Sequence, residues 1–306
     1  MKQVARRQGF ASSIILCYLT LLSPAQSQIV PDNTLPVNSS VTPGCTVCTI
    51  EGGTVRGVNL FHSFSKFSVS TGGEAFFNNG LRIQNIFSRV TGNSVSNIDG
   101  LLRTNGTASL FLLNPNGIIF GAGARLDIGG SFLASTASSI KFTDGFSFSA
   151  AATPTTPLLS VSVPLGLQYG SNQSSVEVRG ATLEVSSGQT LALVGGNVQL
   201  NGGALYNPLV PLGARVELGG LTGAGTIGLS NNGSYLSLNF PDGVTRGDVS
   251  IANGALIDVS AGGGGSITIN ARNLNITGRS TQLQAGIVSG LGSVGSQAGD
   301  IEITFW

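Results

Sequence analysis

Charge is the scarcest commodity in this 306-residue chain: Asp, Glu, Lys and Arg together make up 9% of it, against roughly 25% in ordinary globular domains. The formal net charge is +1, and the basic residues are scattered. There is thus no basic face or arm to attract a phosphate backbone, and no electrostatic case for nucleic acid. Low charge beside 41% hydrophobic residues and a mean hydropathy of +0.29 also excludes charged disorder. Histidine occurs once, as His62, and cysteine three times, as Cys17, Cys45 and Cys48. A tetrahedral zinc site wants four such ligands in the mature chain, and no metal or cofactor site is expected. No segment beyond the N-terminal region is apolar for the ~20 residues that a spanning helix needs.

The first 27 residues have the order of a secretory signal: Lys2, Arg6 and Arg7, then the apolar stretch from Ile14 to Leu22, then Pro24, Ala25 and Ser27. Cleavage is expected between Ser27 and Gln28, with the bond after Ala25 as the alternative. Cys17 falls inside the signal. Cys45 and Cys48 enclose Thr-Val, a spacing used for zinc, for redox chemistry or for a local disulfide. Thr-Val favours extended chain over a redox helix start. In an oxidising compartment the local disulfide is the preferred reading.

Helical periodicity is missing as well. What recurs is a three-residue unit whose first and third members are apolar: Leu183/Val185, Leu191/Leu193, Val198/Leu200, Val216/Leu218, Ile227/Leu229, Leu236/Leu238, Val249/Ile251, Ile257/Val259, Ile267/Ile269, Leu274/Ile276 and Ile301/Ile303. Alternation places both members on one face of a strand. Gly, Asn, Ser and Asp fill the gaps, and glycine alone numbers 45. Short strands alternating with tight turns at a ~20-residue period predict a solenoid of roughly a dozen rungs rather than a sandwich. A proline- and threonine-rich stretch from Ala150 to Pro164 predicts an excursion from that pattern. The segment after Ala181 is expected to continue the same solenoid.

The most informative words lie between Leu110 and Ala137, LFLLNPNGIIFGAGARLDIGGSFLASTA. Asn114-Pro115-Asn116-Gly117, followed by Ile118, reads locally as a turn between two apolar strands. Together with GGTVRGVNLFHSFSKFS (52–68), FFNNGLRIQNIFSRVTG (76–92) and SNIDGLLRTNG (96–106), it resembles the N-terminal secretion domain of filamentous-haemagglutinin-like proteins, in the wording of cyanobacterial members. These are the exported partners of two-partner secretion systems. The resemblance covers about residues 30–170. It implies an all-β, right-handed parallel β-helix with small hairpin excursions and a capped N-terminal end. The domains expected are then 1–27 (signal), 28–170 (secretion domain) and 171–306 (further rungs of a chain read as truncated). The resemblance also implies export through an outer-membrane β-barrel transporter with periplasmic polypeptide-transport-associated repeats, and adhesion to a host cell, surface or carbohydrate. One departure stands out: many members carry NPNL upstream, where this chain has Asn78-Asn79-Gly80-Leu81, so no role tied to that motif is carried over.

Catalysis is weighed because β-helices also host polysaccharide lyases and hydrolases. A glycosidase needs two carboxylates facing one cleft, whereas the acids here are isolated, for example Asp99, Asp127, Asp144, Glu177, Glu184 and Glu217. Stacked rungs could still bring Asp127 over Asp144. His62, among Phe61, Phe64 and Phe67, is expected to be structural. Gly223–Gly228 matches GxGxxG without a following helix, and Arg246-Gly247-Asp248 is read as a rung turn rather than an integrin tripeptide. No catalytic residue is assigned. The rival to the secretion reading is an extracellular carbohydrate-active enzyme, with a lateral groove of clustered acids, arginines and aromatics.

Overall fold

The computed structural model describes residues 27–151, 159–171, 174–208, 212–231 and 235–305; the expected signal before Ser27 lies outside them. Every regular element among the described residues is a strand. Most are three to six residues long, as expected where glycine and asparagine interrupt the alternation so often.

The strands stack into a parallel β-helix with three faces. The first face runs through Asn59–Ser68, Asn85–Val90, Ser109–Leu113, Phe132–Ser135, Thr190–Gly195, Arg215–Gly220, Ser266–Ala271 and Ile301–Phe305, each parallel to the next. The second runs from Ser96–Ile98 through Ile118–Phe120 and Val176–Arg179 to Leu274–Ile276. The third comes in two stretches, Val47–Gly52 to Arg125–Asp127 and Thr182–Glu184 to Gln282–Gln284. Register is set by the inward ladder Leu60, Ile86, Leu110, Phe132, Leu191, Val216 and Ile267. All seven are buried in one continuous core. A one-residue slip would turn the whole ladder outward, so burial fixes the pairing. Backbones approach closely where rungs stack: a Cβ on Gly220 would overlap the carbonyl of Gly195, which explains glycine there.

The N-terminal end is closed by antiparallel strands, Gln28–Pro31 on Asn59–Ser68 and Ser39–Ser40 on Val47–Gly52. Unpaired backbone at a solenoid end is thereby covered. His62 lies under this cap, 1% exposed, with Nδ1 2.9 Å from Ser39 Oγ. Burial pushes its pKa down to about 3, so the imidazole is neutral.

Two excursions leave the helix and meet each other. Ser139–Phe142, Ser147–Ser149 and Pro164–Tyr169 join Gly225–Asn231 and Leu236–Asn239 in an antiparallel sheet. This sheet covers the outer side of the first face, where Phe61, Phe87, Phe111, Leu133 and Ala192 form an outward ladder. The Phe61 and Phe87 rings stand 5.2 Å apart, Phe87 and Phe111 4.8 Å, and Phe142 meets Phe87 edge-on at 5.1 Å. The described residues thus form two apolar cores, one inside the helix and one beneath the hairpin sheet.

Two expectations are corrected. The units Ile227/Leu229 and Leu236/Leu238 belong to the antiparallel sheet rather than to rungs, because alternation is the same for both kinds of strand. The first face carries eight parallel strands among the described residues, fewer than a dozen, since the excursions consume chain and successive ladder positions from Leu60 to Phe132 are 26, 24 and 22 residues apart.

Candidate functional site

Asn114–Gly117 forms the corner between the first and second faces. The Gly117 N–H closes the turn onto Asn114 O at 3.1 Å, and Gly117 sits at φ +117°, a conformation that side chains rarely adopt. Asn114 is fully buried. Its Nδ2 donates to Ser94 O and Ser96 Oγ, both at 2.9 Å, while its Oδ1 accepts from the Asn116 N–H at 3.0 Å. Asn116 Nδ2 reaches Gly92 O at 2.7 Å. The Asn114 N–H bonds Ser135 O in the following rung, and the Ile118 N–H bonds Ser175 O. The corner therefore ties one rung to those on both sides. Its asparagines work as side-chain substitutes for backbone at a place where the ladders change direction.

The Asn78–Leu81 stretch makes a similar corner without proline. The Asn105 N–H donates to Asn79 Oδ1 at 2.8 Å, and Asn105 Nδ2 donates to Asn79 O and Asn78 Oδ1 at 3.0 and 3.1 Å. Ile83 N–H closes the turn onto Gly80 O. Leu81, by contrast, is 81% exposed and lines a cavity of about 480 Å³ with Val55, Val58 and Arg82.

A buried polar network links the cap to the first excursion, and nothing in the spacing of its members announces it. Arg89, 1% exposed, donates to Ser63 Oγ and Thr34 Oγ1 at 2.8 Å each and to Ser149 O. Its guanidinium lies 4.4 Å from the centre of the Phe148 ring. Burial lowers its pKa to about 10, against the favourable charge of Asp32. Asp32 accepts from Thr34, Ser63 and Thr91 hydroxyls at 2.6–2.7 Å. Burial would raise its pKa, but these bonds together outweigh that and hold it below the usual value. The only sequence signal was an arginine within an apolar strand.

The remaining candidates are dispersed. Cys45 and Cys48 are joined through their sulfurs, with Cα atoms 5.2 Å apart, and Cys48 is fully buried. Ser27 Oγ accepts from the Ser70 N–H at 3.2 Å, and Gln28 opens the first strand. Asp127 lies on the third face while Asp144 sits in a hairpin turn, so rung stacking does not bring them together. Glu217 is buried against Arg215 at 2.5 Å. Arg246 is 3% exposed, with its guanidinium 5.4 Å from the Phe240 ring, so the Arg246-Gly247-Asp248 tripeptide cannot present its arginine. Gly223–Gly228 runs into a strand, with no helix to receive a pyrophosphate. Among the described residues, no three His, Cys, Asp or Glu side chains cluster as metal ligands would.

Comparison with known proteins agrees with this architecture. The fold is similar to the HMW1 secretion domain from Haemophilus influenzae at a TM-score of 0.59 and 18% identity, covering 91% of this chain and 62% of that one. The filamentous hemagglutinin secretion domain matches at a TM-score of 0.42 and 16% identity, over 90% of this chain and 99% of that one. The chain thus spans about three fifths of the HMW1 domain. No curated protein matches it significantly in sequence. The model of the TPS secretion domain matches residues 27–269, running past the Ala150–Pro164 excursion. With most of its length inside that match, the chain belongs to the family of two-partner secretion (TPS) domains.

Proposed function

We propose that this protein is an exported adhesin-like exoprotein whose β-helix is recognised by, and passes through, a partner outer-membrane β-barrel transporter. The single observation that carries the reading is the family match over residues 27–269. The fold gives it a mechanism. Before export the chain is unfolded, and its strand segments can add to a sheet edge on the transporter's periplasmic repeats. Outside, each rung supplies the edge on which the next one forms. Asn114, Pro115, Asn116, Gly117 and Ile118 serve as the corner that makes successive rungs register as they emerge.

Removal of an N-terminal signal precedes that step. The cut falls between Ser27 and Gln28, with the bond after Ala25 as the alternative. A Cys45–Cys48 bridge formed in the periplasm encloses only two residues, so it adds no long loop to a chain that must thread a pore. The expected outcome is full-length protein in the medium of cells that carry the transporter and its retention in the periplasm of cells without it, with the mature terminus read by sequencing. Equal secretion in both strains would sink the reading.

Two cavities among the described residues lack the paired carboxylates that the carbohydrate-active alternative calls for. One, of about 340 Å³, is lined by no titratable residue, and the one beside Leu81 has Arg82 alone.

A further inference from the structure

The uncharged cavity lies where the solenoid meets the hairpin sheet. One wall is a ladder from successive rungs: Thr107 and Ser109, then Ser131, then Gln189. Parallel strands place such positions about 4.8 Å apart. The ladder's hydrogen bonds set its directions. Ser109 Oγ accepts the Ser131 N–H at 3.1 Å, leaving its own hydrogen to donate elsewhere. Ser131 Oγ accepts the Thr190 N–H at 3.0 Å and donates to Gln189 Oε1 at 3.2 Å. That last bond orients the Gln189 amide so that its NH2 remains for a ligand. The hairpin-sheet side mixes apolar Pro164, Leu165, which is 50% exposed, and buried Leu229 with polar Thr143 and Ser230, beside Phe111.

We infer that this cleft binds a neutral saccharide unit. A pyranose ring has an apolar C–H face and a rim of hydroxyls that both donate and accept. The cleft offers both kinds of contact: apolar side chains such as Leu165 and Leu229 from the hairpin sheet, and a ladder of hydroxyls and amides from the rungs. Its volume of about 340 Å³ lies at the small end of ligand sites. The absence of any titratable side chain in its lining selects against uronates, sialates and phosphorylated sugars, whose charge would go unpaired. The inference supplies a ligand for the adhesive role proposed above but is read on purified protein, so its failure and that of the export reading are separate.

The experiment is calorimetric titration of the secreted full-length protein with maltose, cellobiose and lactose, and with cellobiouronic acid as the charged control. At least one neutral disaccharide should bind, with the charged one at least tenfold weaker. Gln189→Leu, which removes the oriented donor while keeping side-chain size, should weaken binding tenfold or more. Thr107→Trp, at an exposed turn position, should block the cleft and abolish binding with an unchanged thermal melt. It carries the test should the Gln189 variant fold poorly. No binding by any neutral disaccharide, unchanged binding in Thr107→Trp, or equal affinity for the charged sugar would each overturn the assignment. Tighter capture of an apolar peptide that displaces the sugar would give the cleft to polypeptide and overturn it too.

Discussion

Asn114 is a small residue with large obligations. Its amide bonds two acceptors in the preceding rung and its carbonyl fixes Asn116, all without solvent. Leaving such groups unpaired costs about 1–3 kcal/mol each. Asn114→Ala should therefore destabilise the folded domain by about 3 kcal/mol, read as a lowered urea midpoint. Gly117→Val, forced to φ +117°, should cost about 2 kcal/mol. Both variants should reach the medium in reduced amount and in protease-sensitive form; parental stability in both would remove the corner from the argument. His62 gives a pH signature. Its folded pKa of about 3 lies below the ordinary 6.5, so between those values the unfolded chain binds more protons. The stability that His62 contributes is complete above pH ~6.5 and falls as pH drops towards ~3. His62→Gln should flatten the midpoint-versus-pH curve in that window.

At the level of elements, the Arg89 network decides how the cap is held. Strand Gln28–Pro31, strand Asn59–Ser68 and the hairpin strand Ser147–Ser149 are distant in sequence, and Arg89 with Asp32 joins all three. Removing one member of a buried charged network typically costs about 3–5 kcal/mol, because the rest is left uncompensated. Arg89→Ala should cost about 3 kcal/mol. It should also abolish hydrogen-exchange protection around residues 29–34 and 147–149 before that of the later rungs. Uniform loss of protection along the chain would mean that the cap is not a separate unit of stability. None of this network was legible in the sequence beyond a charge set in an apolar strand. Hydrogen bonds spanning tens of residues leave no periodic trace.

Across the whole molecule, the two excursions bind the halves together. Pro164–Tyr169 pairs with Gly225–Asn231, and Phe132–Ser135 pairs with Thr190–Gly195. Deleting residues 172–306 would strip a strand from each and uncover the core beneath the hairpin sheet. The truncated chain should therefore aggregate or lose protease resistance outside the cell, although the wording that resembles the secretion domain lies before the cut. A soluble, cooperatively melting 28–171 fragment would show that the first half stands alone.

The amino-acid sequence by itself determined the class of fold. Leu191/Leu193 or Ile267/Ile269 alternates strictly, between turns rich in glycine and asparagine, so that each unit is a short strand with both members buried on one face. It likewise placed the Asn114–Gly117 turn, because turn chemistry is local. Tertiary structure alone decided which alternating units enter rungs and which enter hairpins: Leu191/Leu193 and Ile227/Leu229 look alike until a neighbour pairs in parallel or antiparallel. It alone set the second core, the Arg89 latch and the uncharged cleft. Each is made by side chains from separate rungs and excursions, and where an excursion folds back is fixed by the surface waiting to be covered.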